Sequence, residues 1–336
     1  MGYNLGFSDI HVVADDIKNK EAIVLYRDIG GIGDAVMITG AITGLRRELG
    51  KSIKIIVATI PYCAPVFFNN PDIDWIVDSS KFDRVHADGA IDYGSGKEIC
   101  REYFERAGAM FVGLSHPCPS AVYEAFNEPD IQKSRQELFA EACGVKYNKG
   151  DCNLYVTDDE INQIKHAIPY ENYFVFHVRS NSPARDLPKF HADTLAIELA
   201  KRLDNIGYGL VLLSHDWKYR LKRYKNIVNV ISTPLRYVMA FVASSKLLIG
   251  VDSMGVHLAG GLGVPVYGIF GSTDPAMRLS GYNNSMWYSG YNRCKRKPCW
   301  YHPCIFRFCM KSISMEKVAD DVFWFNNVIN YVGRRK

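Results

Sequence analysis

Residues 248–275 read LIGVDSMGVHLAGGLGVPVYGIFGSTDP, and the class of the fold turns on them. Two apolar runs, Leu247 to Val251 and Val264 to Phe270, have the length and β-branched content of buried strands. Between them a Gly-rich stretch carries one acid, one hydroxyl and one imidazole: Asp252, Ser253 and His257. Strand, polar turn, helix and strand make a parallel unit with a right-handed crossover. In open sheets of this kind, ligands sit beyond the carboxyl ends of the strands, where helix N-termini point. The helix starts at about Met254, and its free N–H groups favour an anion. Ser253 can cap that helix or donate to a phosphate oxygen. His257 lies one turn further on, so both can face one ligand. Asp252 would repel a phosphate; it suits a ribose or sugar hydroxyl, or it orients the loop. A capped core helix with a satisfied histidine fits the same residues, and spacing alone leaves both readings open.

Outward from this stretch the alternation continues. YFVFHV (173–178) reads as a strand, KFHADTLAIELAKRLDNIG (189–207) as a helix, YGLVLLS (208–214) as a strand and PLRYVMAFVASS (234–245) as a helix. Together they form a βαβαβαβ domain. The front of the chain begins a second alternation with EAIVLYRDIGGIGDAVMITGAITGLRRELG (21–50), then the strand SIKIIVAT and a third strand after Asn69-Asn70-Pro71. Residues 80–135 give no clear pattern. DIQKSRQELFAEACGV (130–145) reads as a helix ending at Gly144, and Thr157-Asp158 opens another with a capping pattern. The expected organisation is an α/β protein of two Rossmann-like, doubly wound domains, 1–155 and 156–313, facing a central cleft. A terminal helix and tail follow at 314–336.

Three further constellations sit at strand ends. Gly30, Gly31 and Gly33 form a flexible loop, but they do not spell a dinucleotide fingerprint, because Val36 stands where the third small residue belongs. Asp34 lies in the first turn of the following helix, where the dipole favours the ionised form that a base needs; the alternative is a helix cap. Arg179, Ser180, Asn181, Ser182 and Arg185 combine hydroxyls and guanidinium groups suited to a diphosphate, or form a polar surface loop. His215, Asp216 and Trp217 can meet a ribose and a base. Cys294, Cys299, Cys304 and Cys309 are evenly spaced. Zinc knuckles prefer closer pairs, and residues five apart on a helix point about 140° from one another, so these thiols converge on a metal only from a loop.

Composition bounds the class. With 48% apolar and 23% charged residues the chain is globular. No run approaches the ~18 apolar residues that span a bilayer, and the N-terminus lacks a secretory pattern. The expected location is cytoplasmic, with peripheral contact at the inner membrane face allowed. The net charge of +4 permits an anionic partner without demanding a nucleic acid. Basic residues cluster at 218–225 and 294–297 and in the tail.

Taken together, the Gly33-Asp34 turn and GVDSMGVHLAGGLGVPVYGIFGSTDP resemble glycosyltransferase family 9, the ADP-heptose:lipopolysaccharide heptosyltransferases. Met254-Gly255 departs slightly from the usual position of the glycine. The resemblance implies a GT-B fold and an inverting, metal-independent transfer from a nucleotide-diphospho-sugar, ADP- or UDP-linked, with no further cofactor. It makes Asp34 the general base. It sets Arg185, with Ser180 and Ser182, against the diphosphate, and Asp252, Ser253, Met254, Gly255 and His257 around the donor nucleotide; Asp216 holds the ribose. The implied acceptor is a lipopolysaccharide core or another glycan, bound by the first domain. Rival readings are a phage-type enzyme that glycosylates hydroxymethylated bases in DNA, a catalytically inactive sugar-nucleotide-binding protein, and an epimerase of the same fold, for which no further acid/base group is apparent.

Overall fold

The computed structural model describes residues 6–85, 91–92, 95–115, 118–119, 122–123, 132–213, 221, 223–231, 233–293, 299, 304 and 306–333. The chain divides into two units, Met1–Tyr155 and Val156–Lys336.

The first unit contains α1 (Ile10–Ile17), β1 (Ala22–Arg27), α2 (Ile32–Leu49), β2 (Lys54–Thr59) and β3 (Trp75–Asp78). A short antiparallel pair follows, β4 (Arg84–Val85) with β5 (Ile91–Asp92), and then α3 (Ser95–Arg106), β6 (Met110–Gly113) and α4 (Arg135–Ala142). The main sheet runs β3-β2-β1-β6, all parallel. Both faces are covered, as a parallel sheet requires. Val13, Ile17, Cys100 and Phe104 from α1 and α3 pack on Val24, Tyr26, Ile56 and Val77. The alternate residues Ile23, Leu25, Ile55 and Val57 are equally buried. α2 carries no side chain at Gly40, where a Cβ would come within 2.6 Å of the Tyr147 ring, so the 145–152 segment can lie against the helix.

The crossover from β2 to β3 is a single 3₁₀ turn at Ala64–Val66 in place of a full helix. β6 is one of the strands that the sequence pattern missed. It pairs with β1 on the side away from β2, so the connections change direction between β1 and β6.

The second unit contains α5 (Asp158–Ile164), β7 (Tyr173–His177), α6 (Lys189–Asp204), β8 (Gly209–Leu213), β9 (Ile227–Val230), α7 (Leu235–Ala243), β10 (Leu247–Val251) and α8 (Met254–Gly261). After these come β11 (Val266–Phe270), α9 (Pro275–Leu279), β12 (Ser285–Ser289), α10 (Phe308–Lys311) and α11 (Met315–Gly333). The expected capping box at α5 is present, with Thr157 and Glu160 exchanging side chain–backbone bonds. The sheet order is β12-β11-β10-β7-β8-β9, all parallel, which is the doubly wound arrangement with its reversal between β7 and β10. Leu195, Leu199 and Leu203 of α6 share one core with Phe174, Phe176 and Tyr267, and Val318 and Val322 of α11 close it. The two edge strands, β9 and β12, are only half-buried and therefore lack the continuous apolar run that announces a central strand.

Candidate functional site

In each unit the predicted residues sit where the strand order reverses. In the first unit, β1 ends at Arg27 and the chain turns through Gly30, which has φ +104°, and Gly31, the N-cap of α2. Gly33 stands in the first turn beside Asp34. Gly31 offers no side-chain cap. Asp34 is drawn sideways instead. Its Oδ2 accepts from Arg27 Nη2 at 2.9 Å, and its Oδ1 accepts from Arg135 Nη1 at 2.9 Å.

Two guanidinium ion pairs stabilise the carboxylate in its charged form. The Asp34 side chain keeps 17% of its surface exposed, whereas Arg27 and Arg135 keep 8% and 10%. Arg27 also donates to the Leu114 carbonyl just beyond β6 and lies over the Phe139 ring, 5.4 Å from its centre. Phe139 and Arg135 are four residues apart on α4, so one helix face serves both partners of Asp34. That helix starts with a capping box made by Ser134 and Glu137. Gly30 is needed for a second reason besides its φ. A Cβ there would lie 2.2 Å from Arg27 Nη2. Beside this group, the Asp28 N–H donates to Ser115 Oγ at 3.2 Å, and the Ser115 hydroxyl donates back to the Asp28 carboxylate.

In the second unit the loops after β7 and β10 meet. Gly250 lies opposite His177 in the ladder. Asp252 is 3% exposed and forms the hub. Its Oδ2 accepts from Thr273 Oγ1 at 2.8 Å and lies 3.4 Å from Arg185 Nη1 and 3.6 Å from Arg278 Nε. Its Oδ1 is 3.8 Å from His257 Nε2. Burial alone would push this carboxyl up. The Arg278 guanidinium, the bond from His257 and the Arg185 charge outweigh that and hold it well below the usual carboxylate range. His257, also 3% exposed, turns its Nδ1 to the Tyr282 hydroxyl at 3.0 Å. Asp252 therefore lies within ion-pair distance of two arginines and a histidine.

Ser253 is the N-cap of α8 in extended geometry, but its hydroxyl makes no cap bond. It meets His177 Nδ1 at 3.0 Å. Gly255 makes room for that imidazole, since a Cβ would lie 2.7 Å from Nδ1. Met254 is partly exposed beside it. The first turn of α8 thus keeps its N–H groups uncapped by a side chain, with the helix dipole behind them.

The 179–186 loop is organised by Asp186, which accepts from the Ser180 N–H at 2.6 Å and from Arg179 Nη1 at 3.1 Å. Ser180 Oγ in turn accepts from the Ser182 N–H at 3.1 Å, and the Arg185 N–H donates to the Ser182 carbonyl at 3.0 Å. Ser182 is buried inside this turn, while Ser180 and Arg185 are partly exposed. Arg185 Nε is buried with no protein partner.

The structure brings Arg185, Asp252 and His257 together, sets Ser253, Met254 and Gly255 at the helix start, and places Ser180 and Ser182 in the adjoining loop. Asp216, with His215 and Trp217, lies outside the described residues, as does most of the basic cluster at 218–225. Cys294 also lies outside them. Cys304 accepts from the Arg307 N–H at 3.3 Å, and Cys309 is buried in the core of the second unit. Among the described residues, no three His, Cys, Asp or Glu side chains gather as metal ligands, and no helix is long and apolar enough to cross a membrane. Arg27, Arg135, His177, Asp186 and Arg278 were not read from the sequence. Of these, only Arg27 and His177 sit at recognisable strand ends.

Solved structures share this architecture. The ADP-heptose lipopolysaccharide heptosyltransferase II of Escherichia coli is 15% identical, matches over 93% of this chain and 99% of its own, and has a TM-score of 0.63. A family 9 glycosyl transferase from Veillonella parvula is 15% identical over 91% and 97%, with a TM-score of 0.67. TibC of enterotoxigenic E. coli, an iron-containing dodecameric glycosyltransferase, is 14% identical over 92% and 77%, with a TM-score of 0.57. These likenesses establish the GT-B fold. A search of curated protein sequences returned no match. The profile of glycosyltransferase family 9 (heptosyltransferase) matches residues 118–307, more than half of the chain and the whole stretch that carries the Arg185–Asp252–His257 group. The chain belongs to glycosyltransferase family 9 and is a glycosyltransferase of the heptosyltransferase type.

Proposed function

We propose that this glycosyltransferase moves a sugar from an ADP- or UDP-linked donor to an acceptor hydroxyl with inversion at the anomeric carbon, Asp34 serving as general base. The observation that carries the reading is the Asp34 carboxylate in the first turn of α2, held by Arg27 and Arg135 and left partly exposed. The acceptor oxygen bonds to the anomeric carbon while the bond from that carbon to the diphosphate oxygen breaks. The acceptor proton passes to Asp34, and the electron pair leaves with the diphosphate. A carboxylate is a modest base. That is sufficient here, because the hydroxyl becomes acidic as its new bond forms. Negative charge on the leaving group is met by Arg185 and the N–H groups at the start of α8, so no step is assigned to a metal.

The acceptor is a lipopolysaccharide core or another surface glycan, reached from the cytoplasmic side. The shared architecture with the E. coli ADP-heptose lipopolysaccharide heptosyltransferase II supports that class.

A panel of ADP- and UDP-sugars tests this reading. The donor raises the melting temperature in proportion to the logarithm of its concentration over affinity. It releases nucleoside diphosphate only when an acceptor glycan is added, and a chelator leaves the rate unchanged. Donor binding without release across the acceptor panel contradicts catalysis and returns the chain to sugar-nucleotide binding alone.

A further inference from the structure

Between Asp274 and Glu316 the sequence contains no acidic residue, yet it carries seven Lys and Arg. Arg278 is buried against Asp252, and the other six leave this stretch with an excess of positive charge along the sequence. The described part of this segment ends at an aromatic pair. Phe306 and Phe308 stack with ring centres 5.6 Å apart and planes at 8°, and they remain 64% and 63% exposed. Phe190, in the first turn of α6, is 74% exposed. The two elements are neighbours, because His191 Nε2 bonds the Lys311 carbonyl oxygen at 3.0 Å. Lys189, Arg293 and Lys311 are exposed on the same elements or next to them. Arg307, between Phe306 and Phe308 in sequence, donates to the Asp186 carbonyl and so ties this corner to the 179–186 loop.

Three phenylalanines held in water beside lysines and an arginine are costly unless something apolar covers them. Duplex nucleic acid would use the cations, but its bases stay stacked inside the helix and leave the Phe faces without a partner. A lipid surface uses both, since aromatic side chains enter the headgroup region while cations meet anionic headgroups. We propose that Phe190, Phe306 and Phe308, with Lys189, Arg293 and Lys311, form a docking surface for an anionic membrane, seating the donor loop of the second unit close to the lipid headgroups. This goes beyond the transfer chemistry and does not depend on which residue is the base.

The test is vesicle flotation of the full-length chain at moderate salt. It uses neutral phosphatidylcholine vesicles and vesicles containing one-third phosphatidylglycerol. The parent floats with the anionic vesicles and not with the neutral ones. The double variant Phe306→Ser, Phe308→Ser and, separately, Phe190→Ser each lose about tenfold in bound fraction, and Lys311→Glu loses severalfold. Donor-induced thermal shift is retained by Phe190→Ser and Lys311→Glu, which shows that these chains are folded. Any of four results overturns the proposal. The parent fails to float, or the variants float like the parent. The parent is a dimer by light scattering that the Phe variants convert to monomer, making a second copy the occupant. Duplex DNA of matched charge binds the parent and the Phe variants equally.

Discussion

Asp34→Asn is expected to lower sugar transfer by ~10²–10⁴-fold while donor affinity stays within about twofold of the parent. The substitution keeps the shape of the side chain and one acceptor oxygen for a guanidinium. What it removes is the ability to take a proton. Asp34 belongs to the first unit, and Arg185, Asp252 and His257 belong to the second. Each unit has its own sheet and core, so a change at Asp34 leaves the second unit's packing intact. Transfer is read by product formation and donor affinity by calorimetry. If Asp34→Asn turns over at the parent rate, Asp34 is not the base. If it loses donor binding as well, Asp34 is part of the donor site instead.

The second large effect is on stability. Asp252→Ala is expected to destabilise the second unit by about 3–5 kcal/mol, because Arg278 and Arg185 lose the carboxylate that compensates them in a buried setting. For a unit of this size that is a melting-point loss on the order of 10 °C or more. The pH dependence has a definite sign. The folded carboxyl of Asp252 sits below its ordinary value, so it binds fewer protons in the folded than in the unfolded chain. Its contribution is fully present above the ordinary carboxylate value of about 3.9 and is lost as pH falls from there toward the folded value. Melting curves of the parent and Asp252→Asn should therefore converge on acidification and stay apart at neutral pH. Curves that remain parallel down to the acid limit contradict a depressed Asp252.

Much of the second unit was legible because its central strands announce themselves. β7, β8, β10 and β11 are buried along nearly their whole length, so each reads as an unbroken apolar run. The edge strands β9 and β12 are half-exposed and were missed. In the first unit, α3 has an overall hydrophilic sequence, SGKEICREYFER, in which Gly96, Cys100 and Phe104 alone mark the buried face. β6 is only four residues long. Without β6 the β1/β6 reversal beside Asp34 stays hidden.

Site residues follow a similar rule. Asp34, Arg185, Asp252, Ser253 and His257 lie at strand-to-helix turns, where local pattern is informative. Arg135 reaches Asp34 across 101 residues of sequence, and Arg278 reaches Asp252 from α9, so only the fold unites them. The two guanidinium groups that meet Asp34 come from Arg27 and Arg135, and neither was visible as its partner in the local pattern around Gly33-Asp34.

The account rests on the donor diphosphate lying where β7 and β10 diverge. Hydrogen–deuterium exchange with saturating ADP or UDP reads this directly from the backbone amides. Protection is predicted at residues 179–187 and 253–258, with none at 30–36 or 134–139. Protection confined to the first unit, or nucleotide binding that leaves 253–258 exchanging at its free rate, would contradict it.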